Sequence, residues 1–477
     1  MSKSKDRIRV RFVGHNAEHV AGSQILIETG YSKKKILLEC GLIQDNYSTL
    51  KSYQVNAKKF PFKPKEIDYI FVCHAHIDHI GRIPKLYKEN CTAKIIAPEG
   101  LKDLYREMCL DSAKIMERDA AEISKKTGKS YEPIYNAEDV YKSLQYWEEY
   151  PSNMKIKISD NIEFDFLGSG HIFKAYQLEL WIKNRNNTKK IAFTSDLGNI
   201  SLPQYYVEKF EEIKRANLFI GETTYCSQNR SVTIKQREKD LEKLEAIIRQ
   251  TCIDGKGKVL IPVFALARCQ SILTHLFDIF SNDENFNIPI YVDSPLANKV
   301  TDIYLSELKN DDLEKLEKVL NWKNVKRLKE FVDTENAVNS EQSCVFLSCS
   351  GMMTAGRSVY LASKLLPHGY NYIVFCGYST EGSLAWKIKQ KRSKSVAIDG
   401  KTVICRCNVA NLTSFSSHMQ HNDLLNYYSE GNFDKIALVH GEFKDKCEFA
   451  RELQEKIRKK NKTGRVISVN SSTEILL

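Results

Sequence analysis

The chain has 477 residues, 42% of them hydrophobic and 27% charged; this is about three times the usual domain length of roughly 150 residues, with enough apolar content for a sizeable core, so a single small module and a disordered tail are excluded. Lysine and arginine exceed aspartate and glutamate by 71 to 60, a net charge of +11 that suits a polyanionic partner and equally an ordinary soluble basic protein. The thirteen cysteines are odd in number and form no Cys-x-x-Cys pair, which suggests neither a disulfide framework nor a cysteine zinc site and points to a reducing, cytoplasmic compartment.

The first residues, Met1 to Arg7, lead directly into an alternating strand over Ile8–Val13 with no apolar run before a small-residue cleavage site, so no secretory leader is expected. Nowhere do about 18 apolar residues run together, so neither a spanning helix nor a membrane partner is expected. Short β-branched runs at 25–28, 35–39, 69–73, 94–97 and 191–194 predict strands separated by turns and helices, an α/β pattern. From Leu101 to Glu149 apolar residues recur at helical spacing (Leu104, Met108, Ala113, Met116), a helical excursion from the sheet with a turn near Thr127-Gly128. After Glu222 a second strand and helix series at 258–263, 289–293, 343–348 and 372–376 predicts a separate parallel sheet. Asp311 to Glu335 reads as a charge-rich helical surface stretch. There are no internal repeats and no low-complexity linkers.

The segment Val72-Cys-His74-Ala-His76-Ile-Asp78-His79-Ile-Gly81 places four donor residues within six positions directly after an apolar strand. A tight loop there can aim His74 and His76 at one divalent ion and Asp78 and His79 at a neighbour, using the imidazole and carboxylate donors that zinc accepts. This loop resembles the signature of the metallo-β-lactamase superfamily, whose αββα sandwich holds one or two metals at its strand ends. The resemblance assigns His171, in Gly168-Ser-Gly-His171, as the next histidine ligand, and Asp196, in Phe193-Thr-Ser-Asp196-Leu-Gly198, as the carboxylate bridging two metals. Where the family closes its first motif as Asp-Cys-Gly, this chain has Glu39-Cys40-Gly41. The carboxylate there supports the ligand loop from behind, and the extra methylene bears on geometry and metal affinity.

Beyond Asp196 the chain resembles the β-CASP nucleases, in which a second domain is inserted into the lactamase-like fold. Glu222, in Phe219-Ile-Gly-Glu222-Thr-Thr-Tyr225, fits motif A, His418, in Ser414-Phe-Ser-Ser-His418, fits motif B, and His440, in Leu438-Val-His440-Gly441-Glu442, fits motif C. Further phrases typical of the branch are Val259–Arg268, Tyr291–Ala297, Ser350–Arg357 and Gly377–Gly382. The implied fold class is α/β: an αββα sandwich with an inserted α/β parallel-sheet β-CASP domain. Its expected boundaries are 1–215 for the first part of the sandwich, 216–410 for the insert and 411–477 for the returning part. The remaining histidines His15, His19, His275, His368 and His421 receive no role.

Gly128-Lys129-Ser130 follows no strand and reads as a turn. Gly351-Met-Met-Thr-Ala-Gly356-Arg357-Ser358 follows a strand and opens a helix, but arginine stands where a nucleotide loop needs lysine, so ATP is not expected. Such a loop still offers N–H groups and a positive dipole end to a substrate phosphate, with a simple tight turn as the alternative.

The resemblance implies two zinc ions, one on His74, His76 and His171, the other on Asp78, His79 and His440, bridged by Asp196. Asp78, Glu222 and His418 are the expected catalytic set, with His418 as general acid oriented by Glu222. Histidine at motif C goes with RNA rather than DNA enzymes in this branch, so the implied activity is a zinc-dependent ribonuclease leaving 5′-phosphate and 3′-hydroxyl ends, endonucleolytic and open to 5′→3′ trimming. A non-catalytic scaffold, a DNA-directed nuclease and a small-molecule metallo-hydrolase are the rival readings. Single-stranded RNA is the expected partner, entering a narrow cleft between two domains, with Ser350, Gly351, Arg357 and Arg268 as phosphate contacts. A homodimer or larger RNA-processing complex is the further partner expectation. With 37 residues after His440, the chain resembles the compact prokaryotic members of the branch.

Overall fold

In a computed structural model, residues 7–477 are described apart from 46, 186, 228–231, 378 and 391–393. The leader reading of Met1–Asp6 and Tyr378 of the Gly377–Gly382 phrase fall outside the described residues. The chain forms two units: 1–200, 207–230 and 417–477 make the first, and 201–206 with 231–416 the second.

The first unit contains two seven-stranded sheets. In one, the order runs Glu474–Leu476, Arg9–Phe12, Ile25–Glu28, Lys35–Leu38, Tyr69–Phe71, Lys94–Pro98, Trp147–Tyr150, antiparallel in its first half and parallel from Lys35–Leu38 onward. The other orders Arg465–Ser468, Asn432–Val439, Arg215–Glu222, Thr188–Phe193, Tyr176–Lys183, Ile162–Gly168, Ile156–Ser159, its first four strands parallel. Alternation decides which face is buried where. Ile162, Phe164 and Phe166 point inward from one strand and meet Val10, Phe12, Ile25, Ile27 and Phe71 of the opposite sheet in one continuous core. On Arg215–Glu222, Leu218 and Ile220 join that core, while Phe219 points the other way into a layer with Leu424, Tyr428, Phe449 and Leu453 of the helices His421–Glu430 and Phe443–Lys459. The helical excursion expected after Leu101 is a 26-residue helix, Lys102–Thr127, ended by Gly128 at φ +68°.

The expected boundary at 215/216 is corrected: Arg215–Glu222 is an inner strand of the second sheet, pairing on both sides, so the first unit continues to residue 230. The return comes at Ser417.

The second unit is built on six parallel strands in the order Val325–Arg327, Ile290–Asp293, Val345–Ser348, Val259–Pro262, Tyr372–Phe375, Asn408–Asn411. Val259 and Ile261 face Leu244, Ile272 and Leu276 of the helices Ile234–Ile248 and Arg268–Phe280, whereas Leu260 faces Leu361 and Leu365 of Arg357–Leu365. Both sheet faces are covered, which accounts for the near-continuous apolar character of these strands. The stretch 311–335 departs from expectation: a helix, Asn310–Leu320, gives way to Val325–Arg327, the edge strand of this sheet, before a second helix, Phe331–Asn339. Charge masked that strand because an edge position keeps only part of it covered. No described helix is long and apolar enough to cross a membrane.

Phe219 is fully buried and its ring stacks on Phe433 at 4.1 Å. Phe219→Ala is expected to destabilise the chain by about 3–5 kcal/mol, whereas Tyr141→Ala, at a residue 54% exposed, should stay within about 0.5 kcal/mol. Denaturant midpoints of the two variants measured side by side check this.

Candidate metal centre

Strand ends deliver the site. His74 and His76 lie in the loop after Tyr69–Phe71, and Asp78 and His79 on the single turn Ile77–Ile80 that follows. His171 follows Ile162–Gly168, Asp196 follows Thr188–Phe193, Glu222 ends its strand, and His440 follows Asn432–Val439. Two glycines let these loops close on one another. A Cβ at Gly41 would lie 1.5 Å from the Asp78 carbonyl oxygen, and one at Gly198 would lie 1.8 Å from the Gly170 carbonyl oxygen, so both positions exclude any side chain.

Asp196 divides the donors between its two oxygens. Oδ2 stands 3.6 Å from His74 Nε2 and 3.5 Å from His171 Nε2, and His76 Nδ1 is 3.4 Å from His171 Nε2. Oδ1 stands 3.3 Å from His79 Nε2 and 3.6 Å from His440 Nε2, with Asp78 Oδ2 3.7 Å and 3.5 Å from the same two nitrogens. Two ligand atoms about 2.0–2.1 Å from one tetrahedral zinc are separated by about 3.3 Å, so these spacings fit a shared ion in each group. They are too long for strong hydrogen bonds, and the buried His74 Nε2 has no hydrogen-bond partner at all. The residues therefore fit a pair of zinc-class ions by donor type, number and spacing.

Behind the donors, carboxylate and hydroxyl groups orient the rings. Glu39 Oε2 is 2.6 Å from His79 Nδ1, while Glu39 Oε1 accepts from Ser195 Oγ at 2.7 Å, and that hydroxyl is 3.1 Å from His74 Nδ1. One buried carboxylate thus turns a ring of each group, leaving Nε2 of both rings facing Asp196. The longer glutamate in place of aspartate makes this double reach. Thr224 Oγ1, 2.9 Å from His440 Nδ1, does the same for the third ring. Neither Ser195 nor Thr224 was singled out from sequence. The signal available was adjacency, one residue before Asp196 and two after Glu222. Glu39, Ser195 and His440 also adopt φ of +58°, +49° and +56°, a left-handed conformation that non-glycine residues hold only when their surroundings require it.

Burial pushes the pKa values of His74 and His171 well down, and that of His76 to about 4, so these rings are neutral ligands near pH 7. Burial would raise Asp196 and Asp78, but the facing histidines win, holding Asp196 well below the carboxylate range and Asp78 at about 2. For His79 burial acts downward and is outweighed by Asp196, Glu39 and Asp78. Three carboxylates around one imidazole favour positive charge at that point.

Glu222 is spent on the backbone: it accepts from the Leu197 and Thr224 N–H groups at 3.2 and 2.7 Å. His418 Nδ1 lies 3.6 Å from its Oε1, and His418 Nε2 lies 4.0 Å from Asp196 Oδ2. The other expected contacts belong to the second unit. Ser350, Gly351 and Arg357 share the loop after Val345–Ser348, and Arg268 follows the adjacent strand Val259–Pro262, both at carboxyl ends of parallel strands. Arg357 is engaged within that unit. Its guanidinium donates to the buried Asp293 at 2.8 Å and to the Lys329 carbonyl at 2.7 Å, and Ser350 Oγ donates to the Ala355 carbonyl at 3.1 Å.

Residues 19–108 match the family described as the metallo-beta-lactamase superfamily, 269–388 the Beta-Casp domain, and 402–463 the Zn-dependent metallo-hydrolase RNA specificity domain. The chain belongs to the β-CASP branch of the metallo-β-lactamase superfamily. This β-CASP protein is 29% identical over 436 residues to Ribonuclease TTHA0252 of Thermus thermophilus, covering 89% of this chain and 91% of that one. It is 28% identical to the RNase J-like protein of Methanocaldococcus jannaschii, covering 93% and 94%, and 27% identical to Transcription termination factor FttA of the same organism, covering 92% and 68%. A solved protein of unknown function from Enterococcus faecalis superposes with a TM-score of 0.53 at 10% identity, over 99% of this chain and 100% of that one, a likeness of fold alone.

Ser195→Ala removes the hydroxyl joining Glu39 to His74 while leaving all seven metal-facing side chains in place. Its zinc affinity is expected to fall about 10–100-fold, read by competition with a chromophoric chelator.

Proposed function

We propose that this β-CASP protein is a zinc-dependent ribonuclease that hydrolyses phosphodiester bonds of single-stranded RNA in the cytoplasm. The observation that carries the reading is the division of Asp196 between two sets of imidazoles, His74 and His171 on one oxygen, with His76 beside His171, and His79 and His440, with Asp78, on the other. Two ions held by these residues would supply an activated water and neutralise charge on the phosphoryl oxygens. The ribonuclease names of relatives aligned over nearly their whole length support RNA as the substrate class.

The chain's own residues then divide the remaining work. Asp196 and Asp78 keep the donor sets apart and anionic. His418, beside Asp196 yet no closer than 4.0 Å, is placed to give a proton to the departing 3′ oxygen, and Glu222, anchored by two backbone N–H groups, holds that imidazole in orientation. Because Asp196 and His440 are only 2% and 3% exposed, the scissile phosphate must reach into a recessed site. A flexible single strand can bend to do so, whereas a stiff A-form duplex with paired bases cannot. Ser350, Gly351, Arg357 and Arg268 remain the phosphate contacts we propose in the second unit, with Arg357 acting through its neighbours' N–H groups as much as through its engaged guanidinium.

Asp196→Ala is expected to abolish cleavage and lower bound zinc together, since one carboxylate faces both donor sets. His418→Ala should keep its zinc and lose about 10²–10⁴-fold in kcat. Zinc per chain and turnover, measured on both variants, separate a ligand from a proton donor, and full zinc loading of an active Asp196→Ala would overturn the assignment.

An unstructured RNA labelled at either end should be cut well, and the same RNA annealed to its complement poorly. Binding should also weaken as salt rises because neutralised phosphates release counterions. Equal rates on both forms would refute the single-strand reading, and the label pattern distinguishes internal cutting from trimming at the 5′ end.

A further inference from the structure

Among the described residues, one other group of histidine and acidic side chains outside the centre on Asp196 brings its donor atoms together. His15 and His19, both without a role in the reading of the sequence, gather with Asp45 so that one donor atom from each lies within 4.8 Å of the others. We propose that His15, His19 and Asp45 form an accessory site for a divalent transition metal of the zinc class.

The local sequence builds it. His15 opens a single turn, His15–Ala17, and the His19 N–H donates to the His15 carbonyl at 3.0 Å, so the two imidazoles project from one face. Their rings stack with centroids 4.1 Å apart. Across from them His15 Nε2 stands 3.6 Å from Asp45 Oδ2, and that nitrogen is buried without a hydrogen bond. That 3.6 Å separation leaves room for an ion between the two groups, as the 3.3–3.6 Å separations at Asp196 do. Glu442, with Oε2 3.2 Å from His19 Nδ1, orients the second ring as Glu39 orients His79.

Two imidazoles and one carboxylate select zinc, cobalt, nickel or copper over calcium and magnesium, which take oxygen ligands. His19 and Glu442 are 41% and 56% exposed at their side chains, so solvent can complete the coordination. The site is also placed to matter for the main centre. The turn bearing His15 accepts the His440 N–H through the Asn16 carbonyl at 2.8 Å, so a bound ion would brace the loop presenting His440. This proposal stands independently of the ribonuclease reading.

The test is zinc stoichiometry of the full chain after equilibration with buffered zinc, compared among wild type, His15→Ala, His19→Ala, Asp45→Asn and Asp196→Ala. Loss of one zinc equivalent in each of the first three variants is the expected result. Asp196→Ala should lose the other equivalents and keep this one, shown by a zinc-dependent rise in its unfolding temperature that the added His15→Ala substitution removes. Wild-type stoichiometry in His19→Ala and Asp45→Asn, both altered at partly exposed side chains, would overturn the accessory site without touching the main centre. Unchanged stoichiometry in Asp196→Ala alone would overturn the main assignment instead.

Discussion

A carboxylate at 2% exposure needs charged or hydrogen-bonding partners, and Asp196 faces imidazole nitrogens on both oxygens. This requirement governs the architecture of the first unit. Four imidazoles must arrive from strands of two different sheets, and the sandwich core of Phe12, Phe71, Phe164 and Phe166 holds those sheets at the spacing that lets their loops meet. Close backbone approach at Gly41 and Gly198 then removes the last obstruction, since any Cβ there would displace Asp78 or the His171 loop.

Support for the donors is shared rather than duplicated. Glu39 reaches His79 directly and His74 through Ser195, so one buried charge sets the orientation of a ring in each donor group. Such a carboxylate is itself stabilised by the hydrogen bonds it accepts, and losing either partner leaves it partly unsatisfied. The left-handed backbone at Glu39, Ser195 and His440 marks where local conformation yields to this network.

In the second unit the same kinds of residue serve a different end. A glycine-rich loop followed by arginine at a helix start invites an anion, yet Arg357 lies against the fully buried Asp293, which also accepts from Thr334. A fully buried carboxylate needs a partner, and the largely buried Arg357 side chain supplies it, so the pair forms within the fold. The loop's N–H groups, rather than the guanidinium alone, are what this unit offers a ligand.

The segment from His74 to His79 announced metal chemistry by itself because four donors in six residues are a local pattern, and local patterns need no knowledge of the fold. Strand runs such as 259–262 and 345–348 were legible for a similar reason: burial on both faces writes a continuous apolar signal. The edge strand Val325–Arg327 was hidden because its half-covered position tolerates charge. Which oxygen of Asp196 faces which histidines, the passage of Glu39's hydrogen bond through Ser195, the commitment of Arg357 to Asp293 and the meeting of His15 and His19 with Asp45 were decided only in three dimensions. Each brings together residues from separate parts of the chain, and the distances between their polar atoms exist only once the side chains are packed in place.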